Sequence, residues 1–302
     1  MQDIPAFRKY YNDYLHTELL NFERRRKRLV WLILILCSLL GILSGMVISL
    51  GVVALSFFLA IPWYVLIQFL RGKIFTFRDE FKPMVVNAIL KFIDPTLKYY
   101  HKDFIPEDTF NRARIFPIRP EIYKGEDYIM GKIGEVFFEL CELEIYHTAN
   151  LEGKLVRWFE GIFFHANFHN KFQGRILLVP RPEWQHFIPL LKQFAKYGGG
   201  EIKGLGDETF QKEFIVYAEK NVPYKEVLSP TLLKTINAYH LKSKKQVYVS
   251  FVDSHFYIAI AEPYELLEAH IFFSNLDFEL ICMFYQELYM FTRLVEDFDI
   301  RK

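Results

Sequence analysis

From Leu29 to Leu70 the chain carries no charged side chain, whereas elsewhere charged and apolar residues alternate on short periods. The run is about 42 residues. As one α-helix it would be roughly 63 Å long, about twice the hydrocarbon thickness of a bilayer. It must therefore break, and Gly41, Ser44, Gly45, Ser49 and Gly51 cluster near its middle, where they would supply a turn. The pattern predicts two transmembrane helices, Leu29–Ile48 and Gly51–Leu70, each near the ~20 residues a span needs. Gly41 and Gly45 also stand in GxxxG spacing, so helix packing is a second use for them; making the turn is the simpler one. Pro62 is expected to kink the second span.

Upstream, Phe7, Tyr11, Tyr14, Leu15, Leu19 and Phe22 recur at helical spacing, an amphipathic juxtamembrane helix over residues 1–28. Downstream, residues 71–123 read as a helical linker region. It holds a helix over Phe81–Ile93, stopped by Asp94-Pro95, and a short one opened by Pro106-Glu107-Asp108. From Lys124 the period changes to two. Strands are expected at Asp127–Ile133 and Glu135–His147 about Gly134, and a second hairpin at Leu155–Phe168 and Phe172–Val179 across His169-Asn170-Lys171. A helix over Trp184–Tyr197 should end at Gly198-Gly199-Gly200. Further strands are expected at Lys212–Ala218, Gln246–Val252 and Phe256–Ala261, with a helix from Pro230 to Leu241 and a turn at Asp253-Ser254. Ile281, Phe284, Leu288, Phe291, Val295 and Phe298 form the seam of a last helix, expected to pack on the protein's own sheet rather than in a coiled coil. The architecture predicted is α+β: a two-helix transmembrane hairpin, then a mostly antiparallel sheet domain over 124–302 with interspersed helices and a C-terminal helix.

Charge sets the orientation. Arg24, Arg25, Arg26, Lys27 and Arg28 precede the first span, Arg71 and Lys73 follow the second, and the tip between them is uncharged. Basic flanks stay in the cytoplasm, so both termini and the 124–302 domain are expected there. The same residues could touch anionic lipid head groups, though a topology signal accounts for them without a ligand. Beyond the apolar run acidic and basic residues nearly balance, which gives no overall basic signature for nucleic acid. The 18% aromatic content excludes a disordered chain. Three well-separated cysteines, Cys37, Cys141 and Cys282, form no disulfide framework.

Candidate chemistry is thin. His165 and His169 are four apart, but on a strand four residues span about 13 Å, too far for one metal ion; turn or surface histidines are the expectation. Glu135, Glu139, Glu142 and Glu144 read as one solvated strand face. Gly198–Gly206 is glycine-rich, yet follows a helix and lacks the Gly-Lys-Ser/Thr ending of a phosphate loop. Asp253, Ser254 and His255 are adjacent, whereas a nucleophile triad is assembled in space. No catalytic, cofactor or metal residue is assigned.

The segments Lys124-Gly125-Glu126-Asp127-Tyr128-Ile129-Met130-Gly131, Phe159-Glu160-Gly161-Ile162-Phe163-Phe164 and Phe172-Gln173-Gly174 resemble, in that order, an uncharacterised bacterial membrane family. So do Phe210-Gln211-Lys212-Glu213-Phe214-Ile215-Val216-Tyr217 and Leu228-Ser229-Pro230. The family is the domain of unknown function 3137, labelled galanin-like by automated naming. The resemblance implies a bacterial inner-membrane protein, brings no catalytic residues, and implies a partner resembling the LemA membrane family. A membrane-anchored interaction or scaffold protein is the function expected. A membrane-tethered lipid- or small-ligand-binding domain is the alternative, and an enzyme acting on a membrane substrate ranks third.

Overall fold

The uncharged sequence after Leu29 becomes the second half of one long helix, α1 (Ile4–Ser49), which holds a single π-helical turn at Tyr11–Leu15. The computed structural model describes residues 4–51, 58–149, 153–167, 173–261 and 269–299. The chain divides into two units, Met1–Ile93 with Leu266–Glu287, and Asp94–Glu265 with Leu288–Lys302.

In the first unit α1 is followed by α2 (Ala60–Ile93), and the two run antiparallel. Phe22 packs edge-on against Phe77 and Phe81, Arg25 pairs with Glu80, and Trp63 Nε1 donates to Ser44 Oγ at 3.1 Å. The turn begins at Leu50-Gly51, where Gly51 takes φ +69°, a conformation that suits glycine. Gly41 and Gly45 lie instead inside α1, and a Cβ added at either would meet nothing within 4 Å. They neither make the turn nor bring the two helices close; Ser44 faces α2. Residues 52–57, the start of the expected second span, lie outside the described residues.

Two boundaries differ from expectation. The helix does not stop at Leu70: α2 continues through Arg71–Glu80 to Ile93, because Phe77 and Glu80 have partners on α1 to pack against and pair with. Pro62 sits near the start of α2, where a missing N–H costs little, while Pro83 lies inside the helix. Along the first half of α1, Phe7, Tyr11, Leu15 and Leu19 are buried at four-residue spacing, as on one face of an amphipathic helix. Phe7 stacks on Tyr285 at 4.1 Å.

The second unit is built on a nine-stranded sheet, antiparallel at every pairing, in the order β1-β2-β3-β4-β9-β8-β5-β7-β6. Its strands are β1 (Lys98–Tyr100), β2 (Ile122–Ile133), β3 (Val136–Ala149), β4 (Lys154–Asn167), β5 (Arg175–Pro180), β6 (Gly200–Glu201), β7 (Phe214–Ala218), β8 (Val247–Val252) and β9 (His255–Ala261). The expected hairpin of β4 with β5 does not form. The β8–β9 hairpin inserts between them, so β4 pairs with β9 and β5 with β8. Short helices connect the strands: α3 (Glu107–Ala113), α4 (Ile188–Lys196), α5 (Glu208–Glu213), α6 (Tyr224–Val227) and α7 (Pro230–Ser243). Ser229 caps α7 by accepting from the Leu232 amide. Residues Lys212 and Glu213, expected in a strand, end α5, which Asp207 caps through the Phe210 amide.

The central strands are covered on both faces. On one, Cys141, Leu143, Ile145, Phe159, Phe163, Leu177 and Tyr257 meet Phe110 of α3 and Leu190, Leu191 and Phe194 of α4. On the other, Phe164 stacks on Phe291 of the last helix, α8 (Phe278–Asp299), at 5.3 Å. From Leu288 on, the seam of α8 therefore packs on the protein's own sheet at Phe291; the Phe298 side chain lies outside the described residues. Phe291 is fully buried. Phe291→Ala is expected to lower stability by ~3–5 kcal/mol, the range for a buried phenylalanine. Chemical denaturation of the full chain in detergent, followed by near-ultraviolet circular dichroism, measures it; an unchanged midpoint would mean the seam is not core.

Candidate functional site

Sheet register sets Glu139 of β3 opposite His165 of β4, and His165 opposite Tyr257 of β9. All three side chains point to the face that holds Cys141, Phe163 and Ala259, because residues two apart on a strand share a face. Glu139 and His165 are only 8% and 7% exposed. A charged group in that position must be hydrogen-bonded, or burial would neutralise it. Glu139 Oε1 lies 2.8 Å from His165 Nδ1, and its Oε2 accepts from the Tyr128 hydroxyl at 2.6 Å. On the far side of the ring His165 Nε2 lies 3.0 Å from Nδ1 of His255, which opens β9. The Tyr257 ring stacks on His165 at 4.8 Å and 15°.

These partners fix the protons. Burial disfavours charge on Glu139, but hydrogen bonds from His165 and Tyr128 outweigh it and hold the carboxyl below its usual range. The carboxylate can only accept, so His165 carries a hydrogen on Nδ1, and across the contact of its Nε2 with His255 Nδ1 one ring donates and the other accepts. The outer imidazole of the pair, His255, is half-buried. A proton arriving there can be passed through His165 to the edge of Glu139. Tyr128 is pushed up by burial and by Glu139, so it remains a donor; Tyr257 is pushed up to about 12, chiefly by burial. As a metal centre the arrangement offers two nitrogens, with Glu139 behind the His165 ring in the position of an orienting carboxylate. The chemistry within reach of these residues is proton holding and transfer.

A second group lies at the β2 bulge, where ligand oxygens of Glu126, Asp127 and Glu142 come within 4.8 Å of one another. Three carboxylates would suit a hard divalent cation. Asp127 is also hydrogen-bonded by Tyr99 and lies 3.0 Å from His101 Nδ1.

Several expectations change here. His165 is not at the surface, and His169 lies outside the described residues. The glutamates are not one solvated face: Glu139 is buried, Glu142 and Glu144 are half-buried, and Glu135 is exposed. His255 meets His165 rather than its neighbours Asp253 and Ser254, which form the β8–β9 turn. The glycine-rich segment lines a cavity of about 230 Å³ with Arg181, Glu201 and Lys203. Cys37, Cys141 and Cys282 are all free thiols. Among the basic residues Arg24, Lys27, Arg28, Arg71 and Lys73 are exposed and Arg25 pairs with Glu80, but Arg26 is buried. It grips Glu23 through two nitrogens, at 2.8 and 2.6 Å.

The cluster has a pH signature. Burial first, then His165 and the charge on Arg112, push His255 below its ordinary 6.5. The unfolded chain thus takes up this proton at a higher pH than the folded one does. The contribution of neutral His255 is complete above about 6.5 and is lost as pH falls through the lower native value. Glu139 acts in the same direction at more acid pH, since its native value is also depressed. His255→Gln keeps a donor for His165 but cannot titrate. Its unfolding midpoint is expected to fall less between pH 7 and pH 5 than that of the unaltered protein; equal slopes would contradict this assignment.

Comparison with curated proteins and with solved structures gives no match. A family model does match, from Arg157 in β4 to Ile300, a stretch that contains His165 and His255 but not Glu139 or Tyr128. The family is described as a protein of unknown function, DUF3137, and its model matches residues 157–300, just under half of the chain.

Proposed function

We propose that this protein is a membrane-anchored interaction or scaffold module, held in the bilayer by the α1–α2 hairpin with both termini in the cytoplasm. One observation carries the reading. Helix α1 is long and apolar enough to cross a membrane, and none of its most apolar stretch is buried by the protein. Leu34, Ile35, Leu39, Ile42, Leu43, Met46 and Ile48 are all exposed, as are Ile61, Val65, Ile67 and Phe69 on α2. Each such side chain gains about 1.5–3 kcal/mol on leaving water, and a contiguous apolar surface of this extent marks a membrane or partner interface.

The exposed Arg24, Lys27, Arg28, Arg71 and Lys73 supply the basic flank for a cytoplasmic orientation. The resemblance to a bacterial inner-membrane family supports that membrane as the location and a LemA-like membrane protein as a partner. Ligand binding ranks second. The cavities of about 230 and 270 Å³ in the sheet unit are smaller than the ~300–1,000 Å³ typical of small-molecule sites. The larger one is lined by Phe116, Trp158, Phe187 and Tyr248, with Arg157 and Glu183.

Single cysteines at Gln2 and Lys302, in a chain lacking Cys37, Cys141 and Cys282, test the hairpin. Both should escape an impermeant thiol reagent in intact cells and react after lysis, with the protein retained in membranes through an alkaline carbonate wash. Labelling of one terminus alone would mean a single span, and release by carbonate would remove the anchor altogether.

A further inference from the structure

Within the first unit, the chain just before α8 forms a pinned loop. Arg26 Nη1 donates to the Ile271 carbonyl at 2.8 Å, and Tyr11 donates to the Leu276 carbonyl at 2.9 Å. Asn275, itself buried, closes the loop by bonding both the amide and the carbonyl of His270, at 2.7 and 2.8 Å. Ala269 and Ile271 are buried beneath it. At the tip Phe272 and Phe273 point outward, 67% and 74% exposed. A loop held at four hydrogen bonds does not turn two phenylalanines to water for lack of an alternative; its fixed frame presents them.

The place of this tip matters. Arg26 is three residues before Leu29, so the loop is fastened about 4.5 Å along α1 from the start of the apolar run. The head-group layer of a bilayer is about 5–8 Å deep on each side. Phe272 and Phe273 therefore fall at the level of that layer, together with Trp31 of α1 and Phe75 of α2, each 65% exposed. Arg24 and Arg28 are exposed on the same stretch of α1, while the charge of Arg26 is matched by Glu23, whose carboxyl is held low by the Arg26 hydrogen bonds. Aromatic rings and basic side chains on the segments next to an apolar run suit the boundary between acyl chains and anionic head groups.

We propose that Phe272 and Phe273 form an interfacial anchor that inserts into the head-group–acyl boundary of an anionic bilayer and fixes the depth and rotation of α1. The assignment rests on the membrane reading above. A protein partner covering the same tip is the competing occupant, and the test separates the two.

The probe is the full cysteine-free chain in nanodiscs of phosphatidylcholine and phosphatidylglycerol, with a fluorophore on Phe273→Cys or, as reference, on Leu39→Cys. The lipids carry a spin-label quencher at the head group, at acyl carbon 5 or at carbon 12. The label at 273 is expected to be quenched at least twofold more by the head-group or carbon-5 probe than by carbon 12, and the label at 39 most by carbon 12. Quenching at 39 with none at 273 would overturn the anchor while leaving the span intact, and would give the tip to a partner. Equal quenching of 273 by all three probes would also overturn it. Quenching at neither position would remove the membrane reading itself.

Discussion

The structure depends on finding a solvent for one helix. From Leu29 to Ser49 no side chain of α1 is buried by the protein, although one side of the helix is partly covered by α2, and the backbone of that stretch is hydrogen-bonded within the helix, as a spanning segment requires. The opposite end of the same helix obeys the other rule. Phe7, Tyr11, Leu15 and Leu19 are buried, and the changeover falls at Glu23 and Arg26. That ion pair is a polar seam between the two regimes, satisfied by its own bidentate contact and by the Ile271 carbonyl. An unpaired charge buried there would be strongly destabilising. As a matched pair it ends the watery half of the helix without leaving an orphan charge.

The sheet unit answers a different constraint. Its central strands are covered on both faces, so a polar side chain there has no water and must find a protein partner. Glu139 finds two, Tyr128 and His165, and His165 finds a third group in His255. The chain runs from a carboxylate in the sheet interior to a half-buried imidazole, and its order is dictated by strand register rather than by sequence proximity.

The sequence was informative where the cause was local. An uncharged run, the helix start at Pro230, the glycine after α4 and the two-residue turn before His255 each depend on a few neighbouring residues, and each is where the pattern puts it. It was uninformative where distant segments compete. Nothing near β4 and β5 announces that the β8–β9 hairpin will come between them. Val136, Phe138 and Leu140 look like the only buried parity, which would leave Glu139 exposed. Yet Cys141, Leu143 and Ile145 make the other parity apolar too. A strand apolar on both parities is covered on both faces, and that signal would have placed Glu139 indoors. His255 lies 90 residues from His165, so their meeting was not legible at all.

The central claim is that lipid, rather than water, covers the side of the second half of α1 that α2 leaves exposed. A depth profile tests it most directly: single spin labels from Glu23 to Ser49, in the full chain in nanodiscs, with collision rates measured against oxygen and a water-soluble nickel complex. The account predicts oxygen access rising and nickel access falling toward the middle of the apolar run near Leu39, at the positions that do not face α2. Nickel access that stays high through Leu39, or that oscillates with the helical period without a depth trend, would contradict it.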